Sequence, residues 1–466
     1  MIMASRPAVT GVNDAAHELA GEGGYLLNEP SHLKQIAQAA TEQALRAGVD
    51  QAIASAKENG GITMRARGGN FDNATREGSQ ALSIKVFVGG RTGEASTSAL
   101  SPMAVERAVE RAILIAHQVE PDSDSAPPEL AWLGTDAVDV PLFAPSGLTA
   151  QDLGRIALEI ESAANDAADV RVIEAGASSI DACLALAIGR DFSGVYRTSR
   201  QSLWCSVIAE RNGMMAQDMW SDIDRRVAGL AAADEVGAKA AQRATRKVGG
   251  RPLSTTTAPV LLDATVAATL VAEMASALMG TAQVEGATYW HDMLGKQAVA
   301  GHIDLVEDPF EPYGLTSKPY DHEGVAGTAR HVIRGGVLEG YFLNCLNARK
   351  LGTRSTGNAD GCNNLTLSSR NAIATSPELL RQLDTGLWVT EFLGGSADPV
   401  TGNYSKAVAG FWVENGEVAF PVQDTTIAGE LPQMLKELVT VGGDVYRRGA
   451  FRSGSILLNS MRISGR

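Results

Sequence analysis

The residue types best suited to chemistry gather in one glycine-punctuated stretch, Ser317 to Asn364, where Asp321, His322 and Glu323 stand side by side just before Gly324. Two carboxylates flanking an imidazole, with His331 and Cys345 downstream, offer acid, base and metal-ligand atoms. Geometry argues against a metal, because neighbouring residues on an extended strand point to opposite faces and the side chains cannot converge. The stretch suits the rim of a peptide-binding or catalytic cleft. The plainer reading is an acidic surface turn in which Asp321 caps backbone groups and Glu323 pairs with an arginine such as Arg330. Ser355, Thr356 and Asn358, within STGNA, supply hydroxyls and an amide that bind a peptide backbone or close a tight turn. A later run, Thr401 to Val418, echoes the stretch and adds Thr401 and Ser405 to the residues expected at a cleft or subunit interface.

Other constellations are missing. The chain has no Walker A motif and no GxGxxG opening a helix, so nucleotide binding is set aside. Ser455 lacks a G-x-S-x-G context, and no cysteine sits in a nucleophile motif. Neither HExxH nor HExxxH occurs, so no catalytic residue and no metal ligand is assigned to this chain. Trp204, Trp388 and Trp412 fall in strand-like runs, which points to core packing and away from a base-stacking platform.

The elements that must position these residues follow from periodicity. Leu33 to Asn59 reads as a helix stopped by Gly60 and Gly61, followed by strands in ITMRARG, ALSIKVFVGG and RTGEASTSAL. A second helix over Ser101 to His117 starts with a serine cap and Pro102. A Pro, Asp and Ser-rich linker then leads to a loosely repeated unit: a helix at Thr149 to Ala168, a strand meander from Val170 to Asp222, and a helix at Ala231 to Thr245. The longest apolar run, Ala258 to Gly280, contains Asp263 and Glu273 and reads as a buried core helix, not a membrane span. Short strands separated by glycines follow it. The expected class is α+β, with helices on small antiparallel sheets in the N-terminal units and a curved or barrel-like β domain around a central helix at the C-terminus. The expected divisions are a flexible leader at 1–32, α+β domains at 33–125 and 145–247, and a β-rich domain at 256–466.

Composition excludes further classes. A formal net charge of −14 in 466 residues opposes nucleic-acid binding. Four scattered cysteines without C-x-x-C, and an N-terminus lacking a basic start and apolar core, point to a cytoplasmic protein with no membrane attachment.

Several segments resemble the TldD/PmbA family, modulators of DNA gyrase: TSKPYDHEGV, VLEGYFLNCLNARKLGTRSTGNA, LWVTEFLGG, TGNYSKAVAGFWVENGEVAFPV and TIAGEL, with weaker matches in SIKVFVGGRTGEASTSALSP and SLWCSVIAERNGMM. The likeness is to the PmbA branch, also called TldE. It implies an intracellular metallopeptidase assembly acting on unfolded peptides, trimming leaders and degrading antitoxins. In the TldD branch an HExxxH helix binds a zinc-type ion. Here the corresponding helix, Asp263 to Gly280, has no histidine. The resemblance therefore implies a PmbA-type subunit that contains no cofactor itself, pairs with a TldD-type chain carrying the metal, and guides the peptide substrate. The alternatives are a stand-alone peptidase or homodimer with another metal site, and a non-enzymatic regulator that binds gyrase.

Overall fold

Helix α1, Pro30–Arg46, buries Leu33, Ile36, Ala37, Ala40, Thr41 and Ala44 along one stripe, the spacing that a core-facing helix requires. In this computed structural model, which describes residues 24–135 and 138–465, the helix ends well before the expected Asn59. Gly48 takes a φ of 90°, a left-handed conformation that stops a helix, and strand β1, Gln51–Arg67, begins three residues later. The misreading has a simple cause. In AIASAKENGG alanine suits either period, and Ala52, Ala54 and Ala56 alternate towards the core.

β1 continues into β2, Asn70–Val88, and β3, Arg91–Thr97, before helix α2, Pro102–Gln118. The second unit repeats the pattern with α3, Ala150–Asn165, then β4, Val170–Ile188, β5, Phe192–Arg211, β6, Met214–Asp224, and α4, Ala233–Lys247. α3 opens on a capping box: the Thr149 hydroxyl accepts from the Asp152 amide at 3.2 Å, and the Asp152 carboxylate accepts from the Thr149 amide at 3.0 Å. The two units do not build separate sheets. β1 pairs antiparallel with β4, from Ile53 opposite Ile188 to Ala66 opposite Ala175, giving one six-stranded sheet in the order β3-β2-β1-β4-β5-β6.

α1 and α2 cover one half of that sheet and α3 and α4 the other, over two apolar clusters. Residues Tyr25 to Asn28 lie against the sheet between them. The Leu27 and Asn28 amides donate to Glu58 at 2.8 and 3.0 Å, and the Tyr25 amide donates to Asp181 at 3.0 Å. Of the leader expected at 1–32, residues 24–29 are thus tied down, α1 begins at Pro30, and residues 1–23 lie outside the described residues.

Past residue 255, β7, Thr256–Leu262, precedes the core helix α5, Ala264–Ala277, so the apolar run expected to be one helix divides at Asp263. The Asp263 carboxylate accepts from the Thr265 amide at 3.1 Å and caps α5. A short helix α6, Gly280–Val284, leads to β8, Ile303–Glu307, β9, Arg330–Arg334, and β10, Val337–Leu338. Helix α7, Cys345–Lys350, and β11, Leu365–Ser369, come next, followed by β12, Gly386–Ala397, β13, Asn403–Glu414, and β14, Glu417–Glu430. The chain ends with β15, Leu438–Val441, β16, Phe451–Ser453, and β17, Ile456–Gly465. Strands β14, β13, β12, β7 and β17 form a five-stranded barrel that closes where β14 pairs with β17, and β15 extends it from β17. A second sheet runs β10-β9-β8-β11-β16. Leu270, Val271 and Met274 of α5 share one core with Val260 and Val389 of the barrel and with Leu305 and Leu367 of the second sheet. The expected central helix in a curved β domain is present.

Asp181 is fully buried, one of its oxygens lacks a partner, and burial pushes its carboxyl up to about 6 despite the Tyr25 amide. With the folded value above the unfolded one, this group favours folding below about pH 4 and opposes it above about pH 6. The stability of the wild type relative to Asp181→Asn is therefore expected to fall as pH rises from about 4 to about 7, measured by denaturant midpoints. Parallel pH curves for the two proteins would refute this.

Candidate functional site

Between β8 and β9 the chain runs from 308 to 329 without a helix or strand, so its backbone groups need other partners. Buried carboxylates provide them. Glu307, at the end of β8, is 1% exposed and receives four donors: Arg330 Nε at 3.0 Å, Asn358 Nδ2 at 2.6 Å, and the Asn363 amide and side chain at 2.8 and 3.2 Å. Asp321 is 2% exposed; its Oδ1 accepts from the Glu323 and Val325 amides, both at 2.9 Å, and its Oδ2 from the Ala359 amide at 3.0 Å. Burial pushes its carboxyl up to about 6, against the pull of those amides.

Glu323 does not pair with Arg330, contrary to the sequence expectation. Its Oε2 accepts from the Cys345 amide at 2.7 Å, at the start of α7, while Arg330 is held by Glu307. The Cys345 thiol is raised well above its ordinary range by burial and by the Glu323 charge, so it remains protonated and a poor nucleophile. His322 turns the other way and bonds through Nδ1 to Asp360, which also meets Lys318 at 2.9 Å. That hydrogen bond raises the His322 pKa. Burial works against the Asp360 charge, but His322 and Lys318 more than offset it and hold the carboxyl far below its usual range.

Gly324 has a φ of 77°, and a Cβ there would stand 2.4 Å from Ile188 Cδ1, so only glycine lets this turn meet the N-terminal sheet. Next to it Tyr320 packs edge-on against Phe192 and Tyr196, with centroids 5.0 and 5.6 Å apart. In STGNA the Ser355 hydroxyl donates to the Leu343 carbonyl at 3.0 Å, and the Thr356 hydroxyl accepts from the Leu343 amide at 2.8 Å. Asn358 joins Glu307 to the Gly361 carbonyl, 3.1 Å away.

The structure thus gathers Asp321, Glu323, Gly324, Ser355, Thr356 and Asn358 into one network. Thr401 and Ser405 lie elsewhere, exposed at the β12–β13 hairpin, where the Thr401 hydroxyl accepts from the Asn403 amide at 3.3 Å. Sequence reasoning missed Glu307, Asp360 and Asn363. Their signal, a carboxylate ending a short strand and polar residues after STGNA, becomes legible only when the partners are adjacent.

The residues of α5 do not fit a metal centre. An HExxxH spacing set on Glu273 would need imidazoles at 272 and 277, and both are alanine. Ala277 is 1% exposed and packed in the core, with no room for a ring. Glu273 is held by Lys406 at 3.1 Å, close to the buried hydroxyls of Tyr289 and Tyr404, whose pKa values burial and the Glu273 charge both raise. Among the described residues no three His, Cys, Asp or Glu side chains are placed to hold a metal ion.

Three family models match the chain, described as PmbA/TldA metallopeptidase domain 1 over residues 54–116, the central domain over 143–248 and the C-terminal domain over 255–465. Metalloprotease PmbA of Escherichia coli O157:H7 is 35% identical over 89% of this chain and 92% of its own length. The PmbA homologue of Haemophilus influenzae is 34% identical over 94% and 97%. A Thermotoga maritima structure described as a modulator of a DNA gyrase superposes with a TM-score of 0.82 at 26% identity, covering 90% of this chain and 97% of that one. A TldD homologue from Buchnera aphidicola is 25% identical over 36% of this chain.

Asp321→Ala leaves three buried N–H groups without an acceptor and is expected to cost at least about 2 kcal/mol, read from urea unfolding. An unchanged midpoint would mean that this carboxylate does not organise the loop.

Proposed function

This chain belongs to the PmbA/TldD metallopeptidase family, and from that premise we propose that it is the PmbA/TldE-type subunit of a peptidase whose metal resides in a TldD-type HExxxH partner. The observation that carries the reading is the helix α5, where alanines occupy both positions that would need imidazoles and Glu273 is engaged by Lys406. The acidic pair supports it too. Both Asp321 oxygens and one Glu323 oxygen accept from backbone amides, which ties the pair to shaping a rim. PmbA-named relatives match along nearly the whole chain, whereas the TldD homologue matches about a third, in keeping with the PmbA branch.

In this reading an unfolded peptide is held in extended form, with main-chain hydrogen bonds giving affinity without strict sequence choice. Glu323 and Gly324 belong to the cleft rim, Ser355, Thr356 and Asn358 brace it, and Thr401 and Ser405 face the partner. The cellular setting is the cytoplasm: the four cysteines are free, and no helix among the described residues is long and apolar enough to cross a membrane.

Elemental analysis of the purified chain, with peptide cleavage assayed with and without a TldD-type chain, tests the proposal. Well under one metal ion per chain is expected, with cleavage only in the mixture. Stoichiometric metal and chelator-sensitive cleavage by this chain alone would overturn it in favour of a stand-alone peptidase. A regulator of gyrase would instead retain gyrase subunits in a pull-down and leave cleavage unaffected.

A further inference from the structure

Half of the N-terminal sheet has a helical layer on one face only. On the face turned away from α1 and α2, Ser55 lies opposite Ser83, Asn59 opposite Ser79, and Lys57 between them, with Lys85 one step further along β2. Tyr320 of the C-terminal domain and Leu133 of the connection between α2 and α3 cover the end of this face, packing on Ile53, Phe87, Leu186, Ile188 and Phe192. Over β1 and β2 the surface stays open, small and polar, with Lys57, Asn59 and Ser79 exposed.

Two clefts adjoin there. One, of about 210 Å³, lies between Lys57, Lys85 and Glu94 of the sheet and His322 and Glu323 of the loop. The other, of about 620 Å³, is bordered by Asn59, Ser79, Arg76, Glu77, Arg200 and Arg225. Asn59 follows Lys57 on the same face of β1, so an extended chain can cross both.

The charge of this surface is opposite to that of the protein. In a chain of net charge −14, this face presents Lys57, Lys85, Arg200 and Arg225 against Glu77, Glu94 and Glu323, while Arg76, opposite Ile62, springs from the helix-covered face and borders the cleft. Among the described residues Lys57, Lys85, Arg76 and Arg200 enter no ion pair. Arg225 donates to the carbonyls of Gly314, Ser199 and Leu315 and meets no carboxylate through them. Of the acids, Glu94 lies directly across from Lys85 between β2 and β3, Glu323 accepts from the Cys345 amide, and Glu77 meets only the Thr63 hydroxyl, at 3.5 Å, so Lys57 and Arg200 are the cations with no acid set against them. His322 adds positive charge when protonated but is bound to Asp360.

We infer that this face receives an extended, Asp- or Glu-rich peptide segment, making acidic unfolded peptides the preferred substrate class of the site. The inference rests on the peptide-handling role proposed above. Carboxylates along the peptide meet unpaired cations at the sheet, while the small side chains of Ser55, Ser79 and Ser83 let its backbone approach.

Fluorescence anisotropy on the full chain tests this with three labelled, unstructured peptides of equal length, one rich in Glu, one in Lys and one in Gly and Ser. The Glu-rich peptide is expected to bind at least about tenfold more tightly than the Lys-rich one. That preference should shrink with added salt and invert in the double variant Lys57→Glu, Arg200→Glu. Both substituted side chains are exposed and outside every hydrogen bond described, and an unchanged thermal midpoint will report an intact fold. Binding that ignores charge, or an acidic preference that survives the double reversal, overturns the inference and leaves the peptide-handling reading standing. Failure to bind any of the three peptides overturns both. Binding by the isolated chain that vanishes in the complex with a TldD-type partner would assign the face to subunit contact and overturn the inference as well.

Discussion

A carboxylate removed from water must find donors, and the C-terminal domain is arranged around two that do. Glu307 and Asp321 together accept from seven donor groups, five of them backbone or side-chain groups lying between Asn358 and Asn363 or in the 321–325 turn and two from Arg330 and the Asn358 amide. A stretch with almost no regular structure is thereby held as firmly as a sheet, since each unmade bond would leave a buried polar group exposed to an apolar interior. Arg330 and Asn358 serve both the carboxylate and its neighbours: Arg330 also donates to the Tyr341 carbonyl at 2.8 Å, which brings β9 to the segment before α7. The Asp321 turn then places Gly324 against Ile188 and Tyr320 against Phe192, fastening the loop to the N-terminal sheet.

That fastening explains why the residues that look chemical are not arranged as a reacting centre. Asp321 and Glu323 face different partners, His322 faces outwards to Asp360, and Cys345 sits protonated beneath Glu323. In place of convergence on one point, the loop forms one wall of a cleft whose other wall is the open face of β1 and β2. The helix that could have carried a metal is packed as core, and its single acid is neutralised by Lys406. On the reading proposed above, this chain positions a peptide and the groups that cut it lie in a partner chain.

Much of this was legible from residue order. The alternation of Leu82, Ile84 and Val86, the Pro102 helix start and the glycine-separated strands after residue 300 led to the right class, because local turn chemistry and periodicity agree there with the final fold. Two readings failed where alanine or an unbroken apolar run suits either period: β1 passed for the end of α1, and β7 for the start of α5. The joining of β1 to β4 also had no local signal, since edge-to-edge pairing of two units depends on matched registers more than a hundred residues apart. At the site, the capping role of Asp321 followed from turn chemistry, but the partner of Glu323 did not. Choosing between Arg330 and the Cys345 amide requires knowing that Glu307 already holds Arg330.

The central claim is that this chain shapes and holds a peptide path while another chain supplies the catalytic groups. The most direct measurement is the rate of peptide hydrolysis by the complex of a TldD-type chain with this one carrying Glu273→Gln, the single ionisable side chain of α5. The account predicts hydrolysis within about twofold of the wild-type complex, since Glu273 serves only its contact with Lys406. Loss of hydrolysis by about a hundredfold or more in a folded, assembled complex would make Glu273 a catalytic group and contradict it.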